Sequence, residues 1–355
     1  MNGPPVRTAV VGYGLGGAVF HAPLVAALPE LSLVSIVTSN PERVAAARER
    51  YPDADVLPSV DALWGRAREH DLVVVTTPNR SHAPIALAAL DAGLHVVVDK
   101  PLASTSAEGR RLASAAADRG LVLTVFQNRR LDGDYLTLRR LIDEDAVGRV
   151  TRFESRFERW RPEVAAGAWR ELAAPEEGGG LLLDLGSHLV DQAVQLFGRP
   201  TQVYAEIERR RPGAEVDDDV FVSLRHPNGV ISHLWMSAVA GSLGPRFRLL
   251  GLAGAFEKHG LDLQEAQLSG GVEPDDPAYG LEPAERWGVL ARGEGDRRPV
   301  ATERGDYPSF YRGVAEAVRE GAPAPVSVAD AVATLELLEA AVACAATGSI
   351  VPTAT

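Results

Sequence analysis

Short, uninterrupted apolar runs alternate with alanine-rich amphipathic stretches through the first third of the chain. The runs at 6–11, 33–38, 72–76, 95–98 and 122–126 are rich in β-branched residues and apolar throughout, as expected of strands covered on both faces of a parallel sheet. Between them, 16–28, 41–50, 61–68, 84–92 and 106–119 carry helical periodicity. Strand and helix in regular alternation predict a doubly wound α/β domain.

The pattern changes after residue 126. A helix at 134–144 and a strand at 149–157 lead through a polar, aromatic loop to a helical stretch at 180–196. Segments 202–209, 219–225, 229–236, 246–252 and 255–259 then follow with turn residues between them and no helices. Such a succession predicts one large, mainly antiparallel open sheet in an α+β domain. Residues 260–305, rich in Gly, Pro, Asp and Glu, read as a long surface excursion. Helices at 308–320 and 328–346 close the chain, the second with Ser327 as its N-cap. The expected division is the doubly wound α/β domain at 1–126 and an α+β domain at 127–355.

Composition adds limits. With 355 residues, 46% of them hydrophobic and 24% charged, the chain is long enough to build two cores. A net charge of −12 with no basic block argues against nucleic acid or an anionic membrane as partner. The single cysteine, Cys344, excludes an internal disulfide and a Cys-rich zinc site, and its setting in Ala-Ala-Val-Ala-Cys-Ala-Ala reads as a small buried residue. With no apolar stretch of membrane-spanning length and no charged-then-apolar leader, the expected location is the cytoplasm.

Candidate chemistry starts at the first strand, which runs straight into Gly12, Gly14 and Gly17 in a Gly-x-Gly-x-x-Gly turn that also holds Leu15 and Gly16. The first glycine permits the turn, the second admits a pyrophosphate against the backbone, and the third lets the helix pack on the strand. Amides at the helix start face the phosphates. The second strand ends in Thr38, Ser39 and Asn40 with no carboxylate for a ribose 2′-hydroxyl, and Arg43 follows. NADP is therefore expected, with NAD possible. Ser39 or Asn40 would also serve as a cap ahead of Pro41.

Lys100 follows Val96-Val97-Val98, at the carboxyl edge where ligands of open α/β sheets bind, and Pro101 fixes the backbone beyond it. The alternative is a solvated surface lysine. Asp184 and His188 stand at i and i+4, one turn apart on one helix face. A histidine there suits removal of a hydroxyl proton, with the carboxylate setting its tautomer. The alternative is a pair that braces the helix. No third ligand stands at metal-binding spacing, so no metal is expected.

The glycine turn, Thr-Pro-Asn-Arg-Ser-His at 77–82, Asp-Lys-Pro at 99–101 and Asp-Leu-Gly-Ser-His at 184–188 occur in this order over nearly the whole chain. Together with the closing segment from Pro325 to Gly348, they resemble the glucose–fructose oxidoreductase, inositol dehydrogenase and rhizopine catabolism (Gfo/Idh/MocA) family. The resemblance implies an N-terminal Rossmann domain, an open-sheet domain for substrate and oligomer contacts, and nicotinamide-dependent oxidation of a sugar or cyclitol hydroxyl. It places Lys100 at the catalytic centre, Asp184 and His188 against the nicotinamide, and Asp99 where the family usually has glutamate. It further implies cofactor contacts from Thr77, Pro78, Asn79, His82, Asp99, Lys100 and Asn128. Trp169 and Arg170 belong to a cofactor- and substrate-facing stretch, and Arg129, with Lys100, Asp184 and His188, faces substrate. His21, in Phe-His-Ala-Pro, is expected to be structural.

The branch sharing Gly-Tyr-Gly, Phe-His-Ala-Pro, Asp-Lys-Pro and Asn-Arg-Arg includes scyllo-inositol dehydrogenases, so a cyclitol is the expected substrate. Aldose, anhydro-ketose and aminocyclitol substrates are alternatives, and a homodimer or homotetramer is the expected assembly. A non-catalytic dinucleotide-sensing regulator is the reading of a different class. The intact Lys100 and His188 favour catalysis.

Overall fold

A computed structural model describes residues 3–164, 179–293 and 295–353. The early alternation becomes a six-stranded parallel sheet in the order β3-β2-β1-β4-β5-β6. Its strands are β1 (Val6–Val11), β2 (Leu31–Val37), β3 (Asp55–Leu57), β4 (Leu72–Val75), β5 (His95–Asp99) and β6 (Leu123–Phe126). Strand β3 escapes sequence reading because only Val56 and Leu57 in it are apolar. The order reverses between β1 and β4, which run in register from Thr8 opposite Leu72 to Val11 opposite Val75. Ligands of such sheets bind at the carboxyl ends of the strands beside that reversal.

Local chemistry sets the helix ends. Asn40 accepts a hydrogen bond from the Arg43 N–H (3.0 Å) and Pro41 opens the helix Pro41–Arg50. Thr105 caps Ser106–Arg119, which ends at Gly120 in the left-handed conformation. The helix expected at 16–28 instead begins as a π-helical turn, Gly16–His21, before the α-helical Ala22–Ala26. Pro23 explains the widening: it has no N–H to give and its ring crowds the carbonyl one turn back. The helix expected from 84 begins at His82, since a first-turn proline costs no helical bond.

The second sheet has nine strands in the order β14-β13-β12-β11-β7-β10-β9-β8-β15. They are β7 (Val150–Glu158), β8 (Gln202–Glu208), β9 (Asp219–Arg225), β10 (Ile231–Ser237), β11 (Phe247–Gly251), β12 (Ala255–Lys258), β13 (Gly288–Arg292), β14 (Asp296–Val300) and β15 (Val351–Pro352). All neighbours are antiparallel except β7 and β10. One sheet face and the helices Gly133–Asp143, Ser187–Phe197 and Val328–Thr347 share a core that includes Leu138, Leu189, Leu234, Phe153 and Leu337. Cys344 lies fully buried there, its sulfur accepting from the Ala205 N–H at 3.2 Å. Ser327 caps the closing helix through the Asp330 N–H at 3.0 Å.

The reading of 260–305 as an irregular excursion is corrected. It contains the helix Gln264–Ser269 and the β13–β14 hairpin. Strand β14 reads Asp-Arg-Arg-Pro-Val, the charge and proline that protect an exposed sheet edge and mask its pattern. The chain forms two compact units, the first of residues 1–128, 264–279 and 306–332, the second of 129–263, 280–305 and 333–355. Within the first unit, the Tyr307 N–H donates to Gln264 Oε1 at 2.8 Å, and Phe310 packs edge-on against Phe126 with ring centroids 5.0 Å apart. Late segments thus complete the dinucleotide-binding unit, a return that local periodicity cannot reveal.

Candidate active site

Four glycines line the turn after β1, and three are demanded by the protein's own packing. Gly12 has φ +101°, and a side chain there would strike the Thr76 carbonyl. A methyl on Gly17 would overlap the Gly12 carbonyl, and one on Gly16 would strike Thr76 Oγ1 and come within 2.9 Å of Asp99 Oδ2. Gly14 differs: a methyl there would meet only the Arg43 guanidinium, at an ordinary 3.7 Å. Its lack of a side chain is explained by close approach of a ligand, so the turn fits a dinucleotide pyrophosphate. Leu15, 57% exposed, stands in the same turn.

This contrast gives a prediction. Gly14→Ala keeps the wild-type melting temperature and weakens dinucleotide binding by about tenfold, a loss on the order of 1.4 kcal/mol. Gly17→Ala destabilises the fold itself. Thermal melts and fluorescence titration with NADPH check both, and a Gly14→Ala protein that binds as wild type would reject the assignment.

At the tip of β2, Thr38 is buried while Ser39, Asn40 and Arg43 are exposed. Asn40 is committed to capping, so the groups open to a ligand there are Ser39 and Arg43. After β4, the Ser81 hydroxyl donates to the Pro78 carbonyl at 2.6 Å and lies 2.8 Å from Thr77 Oγ1, which fixes the loop carrying Asn79.

His82, expected to face the cofactor, is held by the protein's own backbone. Its ring is 1% exposed, with Nδ1 2.8 Å from the Pro101 carbonyl and Nε2 2.8 Å from the Thr77 carbonyl. Neither nitrogen is turned to a ligand. Burial, partly opposed by the Pro101 carbonyl and the Asp99 charge, pushes its pKa down. Asp99 also turns inward, with Oδ1 accepting from the Lys100 N–H at 2.8 Å and Oδ2 3.6 Å from His21 Nε2. Burial raises the Asp99 pKa, but His21 first, then Lys100 and His82, more than offset it and hold it at about 2.

In the second unit, His188 sits on the helix Ser187–Phe197, 5% exposed, its ring centroid 6.4 Å from that of Phe157. The Arg246 guanidinium stacks on the same Phe157 ring at 4.4 Å and that of Arg129 at 5.3 Å. The helix is held one turn further on. Arg130 grips Asp191 with two bonds of 2.8 and 2.6 Å, Gln192 donates to the Arg129 carbonyl at 2.8 Å, and Arg246 donates to Gln192 Oε1 at 3.0 Å. Removing one partner of so buried an ion pair costs about 3–5 kcal/mol, so these contacts fix the helix firmly.

Arg129, expected to reach substrate, is 7% exposed and contacts Asp132 (3.5 Å) and the Phe157 ring. Asn128, 6% exposed, opens the short turn Asn128–Leu131 that carries both arginines. Trp169 and Arg170 lie outside the described residues.

Asp184 is half-buried in a π-helical turn, Leu182–Gly186, that runs into the His188 helix. Asp184 thus lies in the widened turn and His188 in the first turn of the α-helix that follows it. Asp217 starts this turn: its carboxylate accepts from the Leu182 N–H at 2.7 Å and its carbonyl from the Leu181 N–H at 3.1 Å. Burial raises the Asp217 pKa against these bonds. Gly180, at φ +94°, is glycine because Asp217 fills its side-chain position. Sequence reading passed over Asp217, whose one signal is the Asp217-Asp218-Asp219 run that leads into β9.

Among the described residues, no cluster of three or more His, Cys, Asp or Glu side chains is placed to hold a metal, and no helix is long and apolar enough to cross a membrane.

A glycine-rich phosphate turn at the reversal of a parallel sheet, with a lysine at the same carboxyl edge, defines a dinucleotide-dependent oxidoreductase. Sequence comparison specifies which. Residues 6–127 match the oxidoreductase family, NAD-binding Rossmann fold, and residues 135–257 the GFO/IDH/MocA C-terminal domain. The chain belongs to the Gfo/Idh/MocA family and is an NAD(P)-binding dehydrogenase of the class acting on CH–OH groups. It is 36% identical to scyllo-inositol 2-dehydrogenase (NADP(+)) IolW of Bacillus subtilis, over 95% of this chain and 92% of that one. It is 39% identical to the oxidoreductase YdgJ of Escherichia coli, over 94% of each. The solved yvaA protein of Bacillus subtilis superposes with a TM-score of 0.93 at 33% identity, covering 100% of both chains.

Proposed function

We propose that this protein is an NADP-dependent dehydrogenase of a cyclitol or sugar, with scyllo-inositol as the first substrate to test. The observation that carries the cofactor preference is the Arg43 guanidinium beside Gly14, at the tip of a β2 strand that ends without a carboxylate. The similarity to IolW, whose name states both scyllo-inositol and NADP, supports the same reading.

A nicotinamide dinucleotide held by this unit would supply the acceptor for the hydride that leaves the carbinol carbon. His188 takes the hydroxyl proton during oxidation and returns it during reduction. The Lys100 ammonium donates to the hydroxyl oxygen and favours the negative charge that grows there as the C–O bond becomes a carbonyl. Asp184, one turn before His188, orients the imidazole. The residues proposed to hold the cofactor are the Gly12–Gly17 turn with Ser39 and Arg43, joined by Thr77, Pro78 and Asn79. Substrate selection falls to the second unit, and a cytoplasmic location accords with the lone buried thiol.

Arg43→Ala raises KM for NADP by about 10–100-fold while leaving KM for NAD within about twofold, because only the 2′-phosphate uses that charge. Paired kinetics with the two cofactors check this, and a wild-type preference for NAD would refute it. The test of the whole reading is NADP reduction over a panel of inositols, monosaccharides and anhydro-sugars. Turnover of one narrow subset establishes the substrate class, and turnover of none rejects the proposal.

The proposal includes a homodimer or homotetramer. On the sheet face away from the helices, Tyr204, Phe221, His233 and Trp235 form a ladder of rings 5.2 to 6.4 Å apart, with the Arg156 guanidinium 3.9 Å over Trp235. An aromatic, arginine-bearing face of this kind is typical of subunit contacts.

A further inference from the structure

Behind Lys100 lies a polar chain inside the first unit. His21 and Tyr311 are both 0% exposed, and His21 Nδ1 is 2.6 Å from the Tyr311 hydroxyl. On its other side, His21 Nε2 stands 3.6 Å from Asp99 Oδ2, and Asp99 Oδ1 accepts the Lys100 N–H. At 3.6 Å the Nε2 contact with Asp99 is electrostatic rather than a hydrogen bond, and a carboxylate, which only accepts, favours the tautomer with the ring hydrogen on Nε2 and Nδ1 accepting from the phenol. Burial, reinforced by the Asp99 charge, raises the Tyr311 pKa well above its ordinary value, so the phenol keeps its proton. Three elements distant in sequence contribute: the π turn after the glycines, the end of β5, and the returning helix Tyr307–Glu320.

Apolar residues would fill this volume without requiring partners, so a buried polar chain here calls for a role beyond filling space. Two features supply one. A side chain on Gly16 would come within 2.9 Å of Asp99 Oδ2, so the glycine turn lies close beside the carboxylate that accepts the Lys100 N–H. On the far flank, His82 holds the Pro101 carbonyl. The backbone of Lys100-Pro101 is thus fixed from both sides.

We propose that His21, seated by Tyr311, is a positioning residue: it sets the Asp99 carboxylate, and through it the Lys100 backbone, in the geometry that hydroxyl oxidation requires. The inference rests on the dehydrogenase reading for its kinetic consequence and on the structure alone for its backbone consequence.

The test compares the full-length protein with His21→Ala, His21→Gln and Tyr311→Phe, the last removing one hydroxyl while keeping the ring. His21→Ala and Tyr311→Phe are expected to lower kcat by about tenfold with KM for NADP and the NADPH Kd unchanged. His21→Gln, whose amide nitrogen reaches the place of Nε2, recovers most of the loss. Amide hydrogen exchange at Lys100 accelerates in His21→Ala and stays slow in His21→Gln. Unchanged kcat in Tyr311→Phe and His21→Ala, or a glutamine variant no better than alanine, overturns the proposal. If the wild type oxidises no polyol, the dehydrogenase reading fails by itself, and Lys100 exchange then decides: wild-type exchange in His21→Ala overturns the positioning role, and faster exchange upholds it.

Discussion

Replacing His188 with alanine is expected to lower kcat for hydroxyl oxidation by about 10²–10⁴-fold, the span over which a positioned acid or base contributes. NADPH affinity should stay at the wild-type value, because the groups proposed to bind the dinucleotide belong to the glycine turn, the segment after β2 and the loop after β4, not to the helix of His188. The helix should survive the change, since Asp191 and Gln192 anchor it through Arg130, Arg129 and Arg246. Kinetics on the most active polyol, with NADPH fluorescence titration alongside, check the split. Parallel losses in kcat and cofactor affinity would show that His188 braces structure instead.

Lys100→Met is expected to lower kcat by about 10²–10³-fold, the cost of removing one donor from a developing oxyanion. Lys100→Arg should not rescue it. A guanidinium spreads its charge over a rigid plane and cannot stand in for a compact ammonium at the same point. Because Asp99 and His82 fix the backbone at 100–101 independently of the lysine head group, both variants should melt as the wild type does. A Lys100→Met enzyme retaining more than about a third of wild-type kcat would remove Lys100 from the chemistry.

How far each feature was legible depended on how local its cause is. Strand β1 and the helices Pro41–Arg50 and Ser106–Arg119 have the bounds their patterns predict, since branched apolar runs, Pro41 and the caps Asn40 and Thr105 act within a few residues. The glycine turn is legible for the same reason. The π turns at Gly16–His21 and Leu182–Gly186 are not, because helical periodicity does not distinguish a turn widened by one residue. Nor is the hairpin β13–β14, whose edge strand is charged by necessity.

The candidate site divides in the same way. Motif and position single out Lys100 and His188 as candidates, but the partners that hold His82, Arg129 and Asp99 appear only in the fold. Those partners, Pro101 and Thr77 for His82, Phe157 and Asp132 for Arg129, and His21 for Asp99, are set by tertiary packing. Asp217 and Tyr311 carry no local mark of what they hold.

The sequence by itself determined the alternation that builds a parallel sheet, the turn fit for a pyrophosphate, and the absence of a carboxylate at the end of β2, because each follows from residue type and spacing along a few turns of chain. Only the tertiary structure decided which late segments complete the first unit and which polar groups face inward. Hydrogen bonds and burial act between residues as far apart as His21 and Tyr311, and no pattern along the chain encodes which of them will meet.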